Sequence, residues 1–222
     1  MQKHLERDLE KVKKQLLEFG GIVEETVNTA ITALTERRAD LVDAVIENDD
    51  DIDRREVAIE EECLKILALH HPVVGDLRFV VGVMKVNNDL ERMGDQAVNI
   101  AERAKFIAEN PPLGVPLDYH RMADVVRKMV RSSLDAQVNQ NTDLARQVCL
   151  MDDEVDELHS GMFEILEARM KQDPEEIERA VHYLSASSNL ERIADLATNI
   201  AEDIVFMVEG EVIRHRTVDQ LL

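Results

Sequence analysis

Residues 88–102 read NDLERMGDQAVNIAE, and residues 188–202 read SNLERIADLATNIAE. Nine of the fifteen positions are identical at a constant offset of 100 residues. Similarity of this extent at a fixed spacing indicates an internal repeat, in which one structural unit occurs twice. The two stretches therefore predict that the chain folds as two copies of the same unit.

The repeat extends towards the N-terminal side of both stretches. Residues 49–53 read DDDID and residues 152–156 read DDEVD, which correspond at an offset of 103. The three-residue change of offset falls after these segments, at residues 71–75 and their counterpart 172–175, each of which contains a proline. Because proline marks turns, the length difference is placed in a loop, as expected for a structural repeat.

Apolar residues recur at spacings of three and four through long segments of both units, which is the period of an amphipathic α-helix. Only 3% of the residues are aromatic and Trp is absent, which argues against a β-sandwich or barrel. The predicted helices span residues 5–35, 40–70, 76–109, 118–138, 143–171 and 174–209. The predicted fold class is all-α, two tandem three-helix bundles related by internal duplication. The first bundle is assigned to 1–109, a proline-rich linker to 110–117 and the second bundle to 118–222.

The charge balance excludes several classes of partner. The chain has 46 Asp and Glu against 26 Lys and Arg, a formal net charge of -20. A nucleic-acid-binding protein needs a basic face, and an anionic membrane surface would repel this chain. The charged N-terminal sequence lacks the apolar region of a signal peptide, and the longest apolar run is far too short for a membrane span. We therefore expect a cytoplasmic protein without nucleic-acid binding or direct membrane insertion.

Carboxylates interrupt the apolar stripe of the third helix in each unit. Glu91 and Asp95 are spaced i, i+4, so they share a helix face with the apolar residues that precede them. Glu191 and Asp195 repeat the pair in the second unit. Buried or half-buried carboxylates need a cation or hydrogen-bond donors, so the residues opposite these pairs decide their role.

A second carboxylate pair is predicted to face each of these. Helices joined by a short turn are antiparallel, and residues equally distant from the turn lie at the same level. In the first unit this rule places Asp53 opposite Glu91 and Asp49 opposite Asp95. In the second unit it places Asp156 opposite Glu191 and Asp152 opposite Asp195.

Four carboxylates at one level repel each other unless protons or cations intervene. Oxygen ligands suit Mg, Ca, Mn or Fe, and His159, one turn beyond the carboxylates of its helix, would favour Fe, Zn, Mn or Ni. We therefore predict metal cations, namely Fe, Zn, Mn or Mg, bound by the eight carboxylates. Weaker candidates are His159, its counterpart Glu56, and Glu24 of the first helix.

Other interpretations of the carboxylates remain open. Arg92 and Arg192 adjoin the motifs. If the carboxylate pairs lay on ordinary solvent-exposed helix faces, these arginines would neutralise them through salt bridges. The same carboxylates would also suit a metal-dependent enzyme or a metal-storage bundle, and a helical scaffold without metal is a third alternative. The sequence contains no nucleotide-binding glycine loop, GxSxG or HExxH motif, so catalysis is the weaker hypothesis.

The motifs LERMGD and LERIAD, preceded by NDDDID at 48–53 and MDDEVD at 151–156, resemble those of the PhoU family, accessory regulators of bacterial phosphate-specific transport. The resemblance spans essentially the whole chain. It implies that the paired E/DxxxD motifs bind multinuclear metal clusters. It also implies a cytoplasmic, often dimeric protein that represses the phosphate-starvation response when phosphate is plentiful. Together with the absence of catalytic motifs, this makes a regulatory adaptor that is not an enzyme the leading hypothesis. The partners implied in this way are the ATPase subunit of the phosphate transporter and a membrane sensor histidine kinase.

Overall fold

The structure is a computed structural model that describes residues 2–213, and the end of the second predicted bundle, 214–222, lies outside the described residues. Seven α-helices occur within this range. They are α1 (Gln2–Thr35), α2 (Val42–His70), α3 (Gly75–Glu109), α4 (Tyr119–Asn139), α5 (Thr142–Cys149), α6 (Asp152–Gln172) and α7 (Ile177–Glu209). Short 3-10 turns at Ala39–Leu41 and Pro174–Glu176 precede α2 and α7. The all-α fold class predicted from the repeat is confirmed.

The helices of each unit pack around a shared apolar core. In the first unit α1, α2 and α3 contact one another, and in the second unit α4, α5 and α6 pack against α7. The most extensive contact between any two helices in the described chain joins α3 to α7. A continuous cluster of buried apolar side chains therefore extends through both units. The two helices that carry the repeated motif lie side by side at the centre of the molecule.

The amphipathic pattern of α1 shows why the helices pack as they do. Its buried side chains recur at spacings of three and four, at Val12, Leu16, Phe19, Val23 and Val27. Gly20 lies on the face towards α4, where an added Cβ would sit 3.0 Å from Leu134 Cδ2. Glycine thus permits a close approach of α1 to the second unit.

The second unit departs from the prediction of one helix over 143–171. The chain instead makes a tight turn at Leu150 and Met151, which separates α5 from α6. There the Met151 N–H donates to the carbonyl of Val148 at 3.0 Å, an i to i−3 bond of the 3-10 type. Both turn residues are good helix formers, so nothing in the local sequence marks the break.

The start of α2 also differs from the sequence expectation. The helix predicted over residues 40–70 begins at Val42 in the structure, and Asp40 lies in the preceding 3-10 turn. Its carboxylate pairs with Arg38 at 2.6 Å instead of accepting a backbone N–H at the helix start. The local ion pair satisfies the carboxylate and leaves the cap position to Leu41.

The segment between α3 and α4 is fixed by contacts to both units. Arg37 has a positive φ of 56°, in the left-handed region, and its guanidinium donates to the Tyr183 hydroxyl at 3.1 Å and to the Asn110 carbonyl. The Tyr119 hydroxyl donates to the Tyr183 carbonyl. Leu113 is buried in a small apolar cluster of the second unit. The connecting segment is therefore held at both ends and in the middle.

The contact between α3 and α7 combines close packing with a charged pair. An added Cβ on Gly82 would lie 2.1 Å from Met207 Cγ, so the glycine lets the Met207 side chain pack directly against α3 at this crossing. Lys85 Nζ donates to Asp203 Oδ1 at 2.9 Å, and Asp203 is 1% exposed. The Met207 contact and an ion pair with a buried carboxylate together align the two helices.

Candidate metal centre

The structure brings together the four carboxylates predicted for the first unit. They are Asp49 and Asp53 on α2, and Glu91 and Asp95 on α3. Between the two pairs, Gly94 of α3 faces Ile52 of α2, and a Cβ on this glycine would lie 2.9 Å from Ile52 Cδ1. The two helices therefore approach closely at the level of the carboxylates.

Electrostatics confirm that the carboxylates of the first unit influence one another. Burial, with contributions from neighbouring carboxylates, raises the pKa of Glu91 to about 7. These neighbours are Asp95, Asp53 and Glu56. Burial and the charge of Asp53 also raise the pKa of Asp49 and of Asp95. Proton uptake is thus favoured at this site because the negative charges are close together and partly withdrawn from water.

The second unit repeats the arrangement on α6 and α7. Burial, followed by the charges of Asp195 and Asp156, raises the pKa of Asp152 to about 6. Burial and the same neighbouring carboxylates raise the pKa of Glu191, and burial and Asp156 raise that of Asp195. Both units therefore concentrate negative charge at equivalent places.

One oxygen in each site lacks a hydrogen-bond partner. Asp49 Oδ1 and Asp152 Oδ1 are buried, occupy equivalent positions of the repeat and make no hydrogen bond. None of the eight carboxylates forms an ion pair with a basic side chain among residues 2–213. Arg92 instead lies 3.6 Å from Asp89, and Arg192 acts on its carboxylates only at longer range. The direct salt bridges considered in the sequence analysis are therefore absent from the described sites.

The three weaker candidates fall in different places. His159 lies near Asp156, its Nδ1 is 3.1 Å from Ser187 Oγ, and burial lowers its pKa, which favours the neutral ring. Glu56 lies close enough to Glu91 to raise its pKa. Glu24 lines a separate open depression of about 400 Å³ along α1.

The donor set of each site fits an oxygen-ligated cation. Carboxylate oxygens are the ligands that Mg, Mn and Fe accept, and the orphaned aspartate oxygens have unused acceptor capacity. Within the described residues, however, no three acidic, His or Cys side chains converge on one point that could hold a metal ion. A cation would therefore require the side chains to turn towards it, while the helices already hold them at one level.

Sequence reasoning missed a polar cavity between the two units. It has a volume of about 450 Å³, and its walls come from α3 and α7. Arg92 and Arg192 both line it, although the sequence suggested only that each would neutralise its own motif. The repeat places the two arginines at equivalent positions, but only the packing of α3 on α7 brings them to one cavity.

Across residues 2–213, none of the helices combines the length and the apolar character that a bilayer span requires.

Sequence comparison assigns most of the chain to one family. The profile of the PhoU domain matches residues 16–104 and again residues 119–204. A phosphate-specific transport system accessory protein PhoU homologue of Aquifex aeolicus is 40% identical over 214 residues, which cover 96% of this chain and 97% of that protein. The two domain matches coincide with the two halves of the internal repeat.

Solved structures agree with this assignment. A crystal structure of PhoU from Pseudomonas aeruginosa superposes with a TM-score of 0.90 at 37% identity, covering 93% of this chain and 99% of that one. The phosphate transport system regulatory protein PhoU from Streptococcus pneumoniae gives a TM-score of 0.86 at 30% identity, over 94% and 98% of the two chains. Fold and site define an all-α tandem-repeat protein with a carboxylate cluster in each repeat. The chain belongs to the PhoU family.

Proposed function

We propose that this protein is a regulatory accessory protein of a phosphate transport system. The observation that carries the proposal is membership of the PhoU family over nearly the whole chain, including both halves of the repeat. The duplicated carboxylate clusters support it, since each half keeps the same charged motif in the same place. The proposed role is negative regulation of the phosphate-starvation response, without catalysis.

The proposed mechanism is that of a cytoplasmic adaptor. The protein acts as a homodimer that couples the ATPase subunit of the phosphate transporter to a sensor histidine kinase. Long helices support this role because their outer faces offer extended surfaces for partner helices. The net charge of -20 supports contact with membrane components through proteins, because anionic lipid head groups would repel the chain.

Metal binding by the paired E/DxxxD motifs is part of the proposal. The residues that would hold Fe, Zn, Mn or Mg are the eight carboxylates, four in each unit, with His159 as an added ligand in the second. A bound cation would supply positive charge that neutralises the carboxylates. The orphaned oxygens of Asp49 and Asp152 support this role, because a buried acceptor without a partner is costly.

The regulatory role is tested by deleting the gene and measuring phosphate-starvation transcripts and phosphate uptake in phosphate-rich medium. We expect derepressed transcripts that return to the repressed level when the wild-type gene is restored. Affinity purification of the tagged protein from membranes should retain the transporter ATPase or the sensor kinase. Unchanged transcripts and uptake in the deletion strain would refute the regulatory role, and retention of neither partner would refute the adaptor mechanism.

Metal binding is tested by elemental analysis of protein purified without added metal or chelator, followed by titration of the chelated protein. We expect bound metal that is reduced by about half in a Glu91→Gln, Asp95→Asn double variant, because this variant leaves the second cluster intact. The exposed Asp124→Asn variant on α4 is the matched control and should bind as the wild type does. Sub-stoichiometric metal together with no binding on titration would exclude the clusters.

A further inference from the structure

The cavity between α3 and α7 shares Asp195 with the second carboxylate cluster and adds two arginines, whose role the clusters do not explain. It measures about 450 Å³ and lies where the two units meet. It is lined by Arg92, Gln96, Arg192, Asp195, Leu196, Thr198 and Asn199. Cationic donors, neutral polar groups and one carboxylate therefore face a single space with room for a small ion and water.

The two arginines supply the positive side of the cavity. They occupy equivalent positions of the repeat, one on α3 and one on α7, and both line the cavity. Arg192 makes no ion pair or hydrogen bond within the described residues, and Arg92 has only the 3.6 Å contact to Asp89. Each guanidinium offers five N–H donors in a planar fork, and most of these donors remain unused.

The same cavity also contains acceptors. Gln96 Oε1 is buried and has no hydrogen-bond partner, and the carboxylate of Asp195 belongs to the lining. An anion without a proton would satisfy the arginines, but it would be repelled by Asp195 and would leave the Gln96 oxygen unpaired. A suitable ligand therefore accepts hydrogen bonds on several oxygens and donates at least one.

We infer that this cavity binds inorganic phosphate in its hydrogen phosphate form. Its oxygens accept bidentate hydrogen bonds from Arg92 and Arg192, as planar guanidinium groups favour. Its O–H donates to Gln96 Oε1 or to Asp195, which sulfate cannot do at neutral pH. The site therefore selects phosphate over sulfate through an acceptor that repels fully deprotonated anions.

Phosphate binding at this cavity deepens the proposed function, because the accessory protein would then contact the ion that the transport system carries. The physiological meaning of the site rests on that proposed function. The site joins α3 of one unit to α7 of the other. Bound phosphate would therefore bridge the two halves of the repeat, whereas each carboxylate cluster lies within one half.

The test is equilibrium dialysis of the full chain with radiolabelled phosphate at neutral pH, in the presence of a chelator so that metal cannot hold the anion. We expect one phosphate per chain. Arg192→Gln and Arg92→Gln should each weaken binding about tenfold or more, the usual effect of losing hydrogen bonds to a charged group. Arg131→Gln is the matched control, because Arg131 is an exposed arginine of α4 with a single 3.9 Å contact to Asp135. The control should bind as the wild type does.

Competition with sulfate tests whether Gln96 and Asp195 accept a hydrogen bond from the bound anion. Sulfate should compete at least about tenfold more weakly than phosphate, and Asp195→Asn should reduce that preference by removing the repulsive carboxylate. Absence of phosphate binding, or equal binding by the arginine variants and the control, would overturn the site. Equal competition by both anions would overturn the assignment to hydrogen phosphate. These outcomes are separable from failure of the proposed function, which is measured by transcripts in the deletion strain.

Discussion

The contact between Gly94 and Ile52 predicts a compensating pair of substitutions. A methyl group at residue 94 would lie 2.9 Å from Ile52 Cδ1 and 3.1 Å from Ile52 Cγ2. The second unit has Val155 in place of the isoleucine and Ala194 in place of the glycine, and both are fully buried. Valine lacks the Cδ1 atom that the new methyl group would strike, so each unit fills the same volume in a different way.

The expected changes in the free energy of unfolding follow from adding a methyl group at residue 94 and removing one at residue 52. Gly94→Ala gains about 1 kcal/mol of helix propensity but meets an overpacking cost of about 1–3 kcal/mol, for a net loss of about 1 kcal/mol. Ile52→Val loses about 1 kcal/mol by removing a buried methylene. In the double variant the Cδ1 contact is gone, so its stability should return to within about 0.5 kcal/mol of the wild type. The two single losses sum to about 2 kcal/mol and the double variant loses almost nothing, so the predicted coupling energy is about 2 kcal/mol.

Urea unfolding of the four metal-free proteins, followed by circular dichroism at one protein concentration, measures the coupling. The reverse pair Val155→Ile and Ala194→Gly is the matched control in the second unit and should show coupling of the same sign. Additive effects within about 0.5 kcal/mol would refute the reasoning. Metal titration provides a second measurement, because Gly94→Ala moves α2 away from α3 and should weaken uptake, which the double variant should restore.

Three further predictions concern charge and the linker. Burial and neighbouring carboxylates raise the pKa of Glu91 to about 7 and of Asp152 to about 6, so the folded metal-free chain binds more protons than the unfolded chain at mildly acidic pH. Its free energy of unfolding should therefore fall as the pH rises from about 4 to 7, and this dependence should be weaker in Glu91→Gln. A free energy of unfolding, measured by denaturation, that stays constant or increases over this pH range would contradict the prediction. Lys85→Met should lower the free energy of unfolding by about 2 kcal/mol, because it removes the hydrogen bond to the buried Asp203. Adding Asp203→Leu should restore most of this loss. A change below about 0.5 kcal/mol in urea unfolding of Lys85→Met would be evidence against the prediction. Arg37→Ala should increase amide hydrogen exchange in residues 110–118, because it removes hydrogen-bond donors to the linker and to the second unit. Unchanged protection of these amides would show that Arg37 does not fix the linker.

The sequence predicted most of the fold because its repeat and its apolar period are both strong signals. The end of α1 at Thr35 and the turn after His70 follow from the pattern and from Pro72. The break between α5 and α6 could not be predicted, because Leu150 and Met151 favour helices and only tertiary packing opposes them.

The candidate site also combines features that the sequence predicts with features that it does not. Facing carboxylates were predictable because two helices joined by a short turn fix which residues lie at one level. The orphaned oxygens of Asp49 and Asp152 were not predictable, since hydrogen bonding depends on every neighbouring side chain. The cavity shared by Arg92 and Arg192 depends on packing between repeats, about which a pattern within one repeat carries no information.

The ion pair between Lys85 and Asp203 is present on only one side of the α3–α7 contact. At the repeat offset of 100, the counterpart of Lys85 is Ser185 and the counterpart of Asp203 is Arg103. Two first units packed in the same way would therefore place lysine opposite arginine, and two second units would leave a buried aspartate opposite serine. Both mismatches disfavour the pairing of like halves from two chains. A first half that leaves the ribosome early is thereby kept from pairing with the first half of another chain.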